Sequence, residues 1–210
     1  QLENATRVRS AITNEGGGIH VDGEGTMLAT RSVQLDPGRN PGATEPQIEA
    51  EFARQLGVSK VIWLERGLTR DNAEFGTRGH VDIVACFAAP GVVLYHDQQD
   101  PAHPDHAVSA EVRGILEQAV DAKGRRLRLV PVPAPATLED EEGWVDYSYI
   151  NHLVTNGGVI ACSFNDPNDA QAARILARAY PGREVVPVDA TELYARGGGI
   201  HCITQQVPKR

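Results

Sequence analysis

The chain has 210 residues, 41% hydrophobic and 23% charged, an ordinary balance for a folded protein with a buried core. Asp plus Glu outnumber Lys plus Arg by 28 to 20, giving a net charge of -8; this argues against nucleic acid, whose phosphates need clustered cations, and favours a cationic ligand. No apolar run approaches the roughly 18 residues of a membrane helix, and three widely spaced cysteines without a Cys-x-x-Cys pair or signal-peptide pattern make a reducing cytoplasm the default.

In chain order, Asn14 to Asp22 opens with Glu15 beside three glycines. Thr44 and Gln47 form a capping box, Pro46 suits a first turn, and Ile48, Phe52 and Leu56 share a face that Gly57 ends, predicting a helix over 45–56. A strand follows at Lys60–Leu64, then strands at Val81–Phe87 and Val92–Tyr95. A second helix covers 107–120 on the stripe Val108, Val112, Ile115, Leu116 and Ala119, before a strand at Leu127–Val132. Pro-rich Val130–Ala136 and acidic Glu139–Glu142 read as a surface loop. Leu153–Cys162 reads as a strand, and a third helix opens at Asp166 with Pro167 in its first position and runs to Ala179. Glu184–Val188 is the last strand. Helix then strand thus recurs three times, each pair trailed by a Gly-containing stretch at Gly76–His80, Gly143–Tyr147 and Gly197–His201. The fold class is α/β: about three ββαβ copies with partial units at the ends, in a single domain over 1–210, since no polar linker divides them.

Four groups could do chemistry. Cys202 ends a triple-glycine turn, where bare backbone admits a substrate and N–H groups can stabilise a thiolate; the competing reading is an inert buried cysteine. His80 and Asp82 fall two apart in Gly79-His-Val-Asp82 and, on a strand, would share a face. Glu15 is a carboxylate at bare backbone, or a solvated turn residue. His96 to His106 holds three His and three Asp in eleven residues, yet Pro101 and Pro104 make it a loop without ligand spacing, so no metal is expected. The glycine runs lack the Lys-Ser/Thr ending of a phosphate loop. A cysteine, a histidine and two carboxylates together suggest covalent catalysis at a cationic, carbonyl-like carbon.

Glu15–Thr26, Leu35-Asp-Pro-Gly-Arg-Asn-Pro41, Val61-Ile-Trp-Leu64, Gly79-His-Val-Asp82 and Gly197-Gly-Gly-Ile-His-Cys-Ile-Thr-Gln-Gln206 closely resemble the agmatine deiminase family, part of the guanidino-group-modifying, or pentein, superfamily. The resemblance implies a five-bladed α/β propeller of ββαβ units, here incomplete. It assigns Cys202 as nucleophile, His80 as general acid/base, Asp82 as the carboxylate gripping a guanidinium, and Glu15 as the acid that holds substrate and orients the histidine, with Gly199 among the substrate-contacting residues. The implied reaction converts agmatine, a small cationic guanidino substrate, and water into N-carbamoylputrescine and ammonia, a step of putrescine biosynthesis, with no cofactor. A deiminase of peptidyl-arginine or another guanidino compound, and a non-catalytic pentein, are the competing readings.

Two departures qualify that expectation. The family's upstream Trp-x-Arg-Asp-x-Gly-Pro motif has no match, so the chain is expected to lack its N-terminal portion and to be weakly active or inactive unless the missing piece is supplied. Arg78 and Ile83 replace other residues around the histidine motif; Arg78 repels a cationic ligand if it faces the pocket and is harmless if it points outward. Trp63 and Trp144 are expected as packing anchors, Cys86 and Cys162 as buried strand residues, His201 on the face opposite Cys202, and Asp146 is left unassigned. Nothing in the residues decides between a monomer and a homo-oligomer.

Overall fold

Each expected repeat forms as strand, strand, helix, strand. In the computed structural model, which describes residues 7–73 and 76–207, the first unit comprises β1 (Ile19–Val21), β2 (Thr26–Thr30), α1 (Glu45–Leu56) and β3 (Lys60–Leu64). The second comprises β4 (Ala85–Ala89), β5 (Val92–Asp97), α2 (Asp105–Gln118) and β6 (Arg128–Pro133). The third comprises β7 (Leu153–Val154), β8 (Gly158–Ser163), α3 (Asp169–Ala179) and β9 (Glu184–Asp189). In all three the first two strands pair antiparallel, and the helix carries the chain back so that the last strand lies parallel to the middle one.

The local signals explain the element ends. Gln47 accepts the Thr44 backbone N–H at 2.9 Å to start α1, and Gly57 closes it at φ 69°. α3 begins at Asp169 rather than Asp166. The Asp166 carboxylate is occupied by the N–H groups of Ala136 at 3.0 Å, Thr137 at 2.9 Å and Asn168 at 2.8 Å, so it pins a neighbouring loop before the helix starts. The expected strand Val81–Phe87 is split, with a 3-10 turn at Val81–Ile83 ahead of β4. Likewise Leu153–Cys162 breaks into β7 and β8 around a turn in which Thr155 N donates to Gly158 O at 2.8 Å. The Pro-rich stretch is not all loop: Pro131 and Pro133 sit in β6, on the edge of its sheet, where a missing N–H costs nothing. Glu139–Asp140 pairs with Gly143–Trp144 as a small hairpin, braced by Arg70 on Asp140 at 2.6 Å.

β2 shows how the core is divided. All five of its residues are buried, because both faces of its sheet are covered. Met27 and Ala29 face α1 with Ile48, Phe52 and Trp63, whereas Leu28 points with Ile62 and Leu64 into a larger core. That larger core continues through Leu94, Leu116 and Val132 of the second unit into Val159, Ala161 and Leu176 of the third. Trp63 is the anchor expected, its Nε1 donating to Glu49 at 2.8 Å. Trp144 is 38% exposed, with its ring edge-to-face with His103. Cys86 and Cys162 are buried in β4 and β8. No helix among the described residues is long and apolar enough to cross a membrane.

Leu28→Ala should therefore empty space at the junction of units and destabilise the fold by about 2–5 kcal/mol, read from the shift in urea midpoint; a cost below ~1 kcal/mol would mean that the units do not share this core.

Candidate functional site

Glu15 reaches the site because the segment before β1 is tied down. Buried Gln34 donates to Asn14 Oδ1 at 2.6 Å and to the Gly18 carbonyl at 3.0 Å, while Asn40 clamps both backbone groups of Thr13. From the same turn, within the Leu35–Pro41 motif, Arg39 Nε lies 3.0 and 2.9 Å from the two Glu15 oxygens. His80 Nε2 stands 3.1 Å from Glu15 Oε2. Burial alone would raise the Glu15 carboxyl, but the hydrogen bonds and charges of Arg39 and His80 hold it below its ordinary value. Since the Glu15 carboxylate can only accept, this hydrogen bond puts an N–H on His80 Nε2.

The loop carrying His80 is ordered by Asp71, which accepts from Thr77 N at 2.9 Å, Thr77 Oγ1 at 2.5 Å and His80 N at 2.9 Å. His80 and Asp82 do not share a strand face; they flank the start of a 3-10 turn and converge all the same. A Cβ built on Gly17 would fall 2.6 Å from His80 Nδ1 and 2.7 Å from Asp82 Oδ2, so the glycine of the Glu15 run lies directly on both.

Asp82 is 2% exposed. Its Oδ2 receives His201 Nδ1 at 2.8 Å and the Cys202 thiol at 3.4 Å, and its Oδ1 is buried without a hydrogen-bond partner among the described residues. His201 therefore faces Asp82, contrary to expectation. Residues 200–203 form a turn, and the alternation of strand side chains does not apply there. Cys202 is exposed as a residue, yet its sulfur lies against Asp82 and 3.1 Å from the buried Asn151 amide. Burial and the Asp82 charge push its thiol up to about 12, against the Gly199 backbone N–H and Asn151, which pull it down. Gly199 itself packs against Asn151 and Tyr194, while Gly197 and Gly198 border the space beside the sulfur.

His80, Asp82, Cys202, Asp71 and Asp146 line one cavity of only about 10 Å³, roughly room for one water. Asp71, Asp146, Tyr194 and Gly197 also line an adjoining cavity of about 460 Å³. Asp146 thus belongs to the site. Burial first, and then the Asp71 charge, raise its carboxyl to about 7 against the pull of Arg70. Arg78 is exposed, with its guanidinium on the Ala73 carbonyl at 3.4 Å, and does not border either space. Three residues of the His96–His106 loop are engaged away from this cavity: His96 with Ser148 at 3.2 Å, His106 with the Gln98 carbonyl at 2.9 Å, and Asp105 with the Thr69 N–H at 2.7 Å. Asn151, Asp71 and Arg39 escaped sequence reasoning as site residues. Only the Arg39 motif carried a local signal; Asn151 lies 51 positions from the cysteine it touches.

Repeated ββαβ units that bring a cysteine, a histidine and carboxylates to one point define a mixed α/β scaffold with a thiol-centred site. The chain belongs to the family of Porphyromonas-type peptidyl-arginine deiminases, whose model it matches over residues 1–208. A Streptomyces avermitilis protein provisionally named an agmatine deiminase is 59% identical over 210 residues, covering 99% of this chain and 61% of that protein. The agmatine deiminase of Pseudomonas savastanoi pv. phaseolicola is 41% identical over 99% of this chain and 61% of its own length. The solved agmatine deiminase of Enterococcus faecalis superposes with a TM-score of 0.85 at 37% identity, covering 93% of this chain and 57% of that one. The chain therefore spans about three-fifths of the length of these curated relatives.

Two measurements check the site. In the native protein, iodoacetamide should label Cys202 and spare Cys86 and Cys162, with a rate still climbing between pH 9 and 10 because the thiol is far from fully ionised; a plateau near pH 8 would contradict the raised thiol. For Asp146, the folded value of about 7 lies above the roughly 4 of an unfolded aspartate, so the native state keeps a proton that the unfolded chain has lost. Its stabilising contribution is whole below pH ~4 and disappears as pH rises through 7. Asp146→Asn should accordingly gain in urea midpoint relative to wild type as pH is raised across that window, whereas a constant difference would mean that Asp146 titrates normally.

Proposed function

We propose that this chain carries the thiol, imidazole and carboxylate groups of a guanidine deiminase, acting on agmatine to give N-carbamoylputrescine and ammonia. The observation that carries the reading is the Asp82 carboxylate, buried, 3.4 Å from the Cys202 sulfur and with one oxygen unpartnered among the described residues. A guanidinium offers planar N–H donors and a positive charge, which is what such an oxygen lacks. Its own delocalised charge makes the central carbon a poor electrophile, and fixing the ion against Asp82 localises that charge at the attacked carbon.

The steps follow from the groups at hand. The Cys202 thiolate forms a C–S bond to the guanidinium carbon. His80, protonated and oriented by Glu15, gives its proton to one amino nitrogen, whose C–N bond breaks to release ammonia and leave an S-amidino cysteine. The same imidazole then takes a proton from water as the water oxygen bonds to that carbon. Cleavage of the C–S bond returns the thiolate, and the hydroxyl proton left on the carbon passes to the released ammonia as the carbonyl of the ureido product forms. The high resting thiol makes this sequence conditional, since a cation seated on Asp82 cancels the charge that holds the proton on Cys202.

Agmatine fits better than a carboxylate-bearing substrate. Arg78 is turned outward, Arg70 is paired with Asp140 at 2.6 Å and Glu142 at 2.5 Å, Arg196 lies 3.7 Å from Glu192, and the space next to the nucleophile is bordered by Asp71. The three ββαβ units read as blades of one propeller domain, supported by their common strand order and shared core. A net charge of -8 fits a protein working on a small cation.

The test is turnover of agmatine, free arginine and an arginyl peptide by the protein of the full reading frame, with Cys202→Ala as control. Agmatine should be preferred and the variant should lose all activity. Thiolate absorbance titrated with and without an alkylguanidinium should show a lower midpoint with the ligand; no shift, or turnover surviving in Cys202→Ala, would remove the basis of this reading.

A further inference from the structure

Four residues border both the small cavity at the Cys202 sulfur and the larger one of about 460 Å³ beside it: Asp71, Asp146, Tyr194 and Gly197. Two of them are acids, and they differ in how they are used. The oxygens of Asp71 are taken by Thr77 N at 2.9 Å, Thr77 Oγ1 at 2.5 Å and His80 N at 2.9 Å. The Asp146 carboxylate, among the described residues, is reached only by its own backbone N–H. Tyr194 gives its hydroxyl proton to the Ser148 carbonyl at 2.9 Å.

The backbone holds Asp146 where it is. Val145 N donates to the Leu138 carbonyl at 3.0 Å, and the Tyr147 ring stacks on Phe164 with centroids 4.7 Å apart. Both flanking side chains are buried in the larger core, while Asp146 between them borders the two cavities. The two guanidinium groups on the larger cavity are engaged elsewhere: Arg70 with Asp140 at 2.6 Å and Glu142 at 2.5 Å, Arg196 with Glu192 at 3.7 Å. A half-buried carboxylate beside a second carboxylate, without a counter-charge of its own, favours an arriving cation.

The small cavity, about 10 Å³, cannot hold a four-carbon tail. The tail of a guanidinium seated on Asp82 must therefore pass the boundary residues into the larger space. We infer that Asp146 is a specificity-determining residue that reads the charge on the substrate's tail, its carboxylate receiving the terminal ammonium of agmatine. The inference rests on the agmatine reading above and adds which residue selects for the amine. An ammonium brings three N–H donors to an acceptor that lacks them. Because burial and the Asp71 charge raise the Asp146 carboxyl to about 7, the arriving ammonium displaces a proton from it to solvent in the lower part of the neutral range.

The test compares agmatine with butylguanidine, which has the same guanidinium and four carbons but no amine. Calorimetry on the protein of the full reading frame carrying Cys202→Ala gives both affinities without turnover. At pH 8 agmatine should bind about tenfold more tightly, the scale of one hydrogen-bonded charge pair. Adding Asp146→Asn should bring the two affinities within about twofold. With Asp146 intact, the preference should shrink about fivefold between pH 8 and pH 6, as the carboxylate gains its proton. The charged and titratable groups around Asp146 are Asp71 and Arg70 from the 70–72 turn, Asp105 at the start of α2, Glu142 in the hairpin, and Tyr194 and Arg196. Groups that meet the guanidinium, His80 and Asp82 among them, act on both ligands alike and cancel in the ratio.

A preference that survives Asp146→Asn, one that stays constant from pH 6 to pH 8, or none at pH 8 overturns the inference. If the Asn variant loses its urea transition, the pH series on the protein with Asp146 intact decides alone. Turnover is read separately, on protein that keeps Cys202. Equal turnover of the two compounds leaves the deiminase standing without this residue's role, whereas a tail preference in binding with no turnover of either sinks the deiminase and leaves the role of Asp146.

Discussion

A buried carboxylate that is only half satisfied is the constraint around which this site is organised. Asp82 has almost no contact with water, one oxygen is shared between His201 and Cys202, and the other has no partner among the described residues. A charge in that position costs free energy unless something compensates it. The fold supplies a nearby imidazole and thiol but leaves room in the hydrogen-bond count for a cation. The same charge helps hold the proton on Cys202.

The scaffold keeps that arrangement in place with polar clamps as well as apolar packing. Glu15 depends on Arg39, Gln34 and Asn40; His80 depends on Asp71; Cys202 depends on Asn151. Each clamp is a buried or half-buried group that makes at least one hydrogen bond to the segment it holds, and such polar contacts rigidify an interior. The three sheets meet through one apolar core behind these clamps, so displacement of one unit would be felt at the site.

Much of the secondary structure was legible because its causes are local. The Thr44–Gln47 pair, Gly57 and the stripe Ile48, Phe52 describe α1 without reference to the rest of the chain, and β-branched runs bounded by glycine mark β3 and β8. The threefold recurrence of helix then strand was legible for the same reason. Two of the misreadings have causes outside the element itself. Asp166 delays α3 because it serves the loop at Ala136 and Thr137, and Val81–Ile83 turns instead of extending because His80 N is tied back to Asp71.

By itself the sequence determined which chemical groups are present, the ββαβ repeat, and the glycine runs that leave the backbone bare. Tertiary structure alone decided that His201 turns to Asp82, that Arg78 turns away, that Asp146 borders the cavity beside Cys202, and that Asn151 reaches the Cys202 sulfur. The physical reason is distance along the chain: periodicity reports neighbours within a turn or a strand, whereas the partners of Asp82 and Cys202 come from segments 51 to 120 residues away, brought together only when the sheets pack.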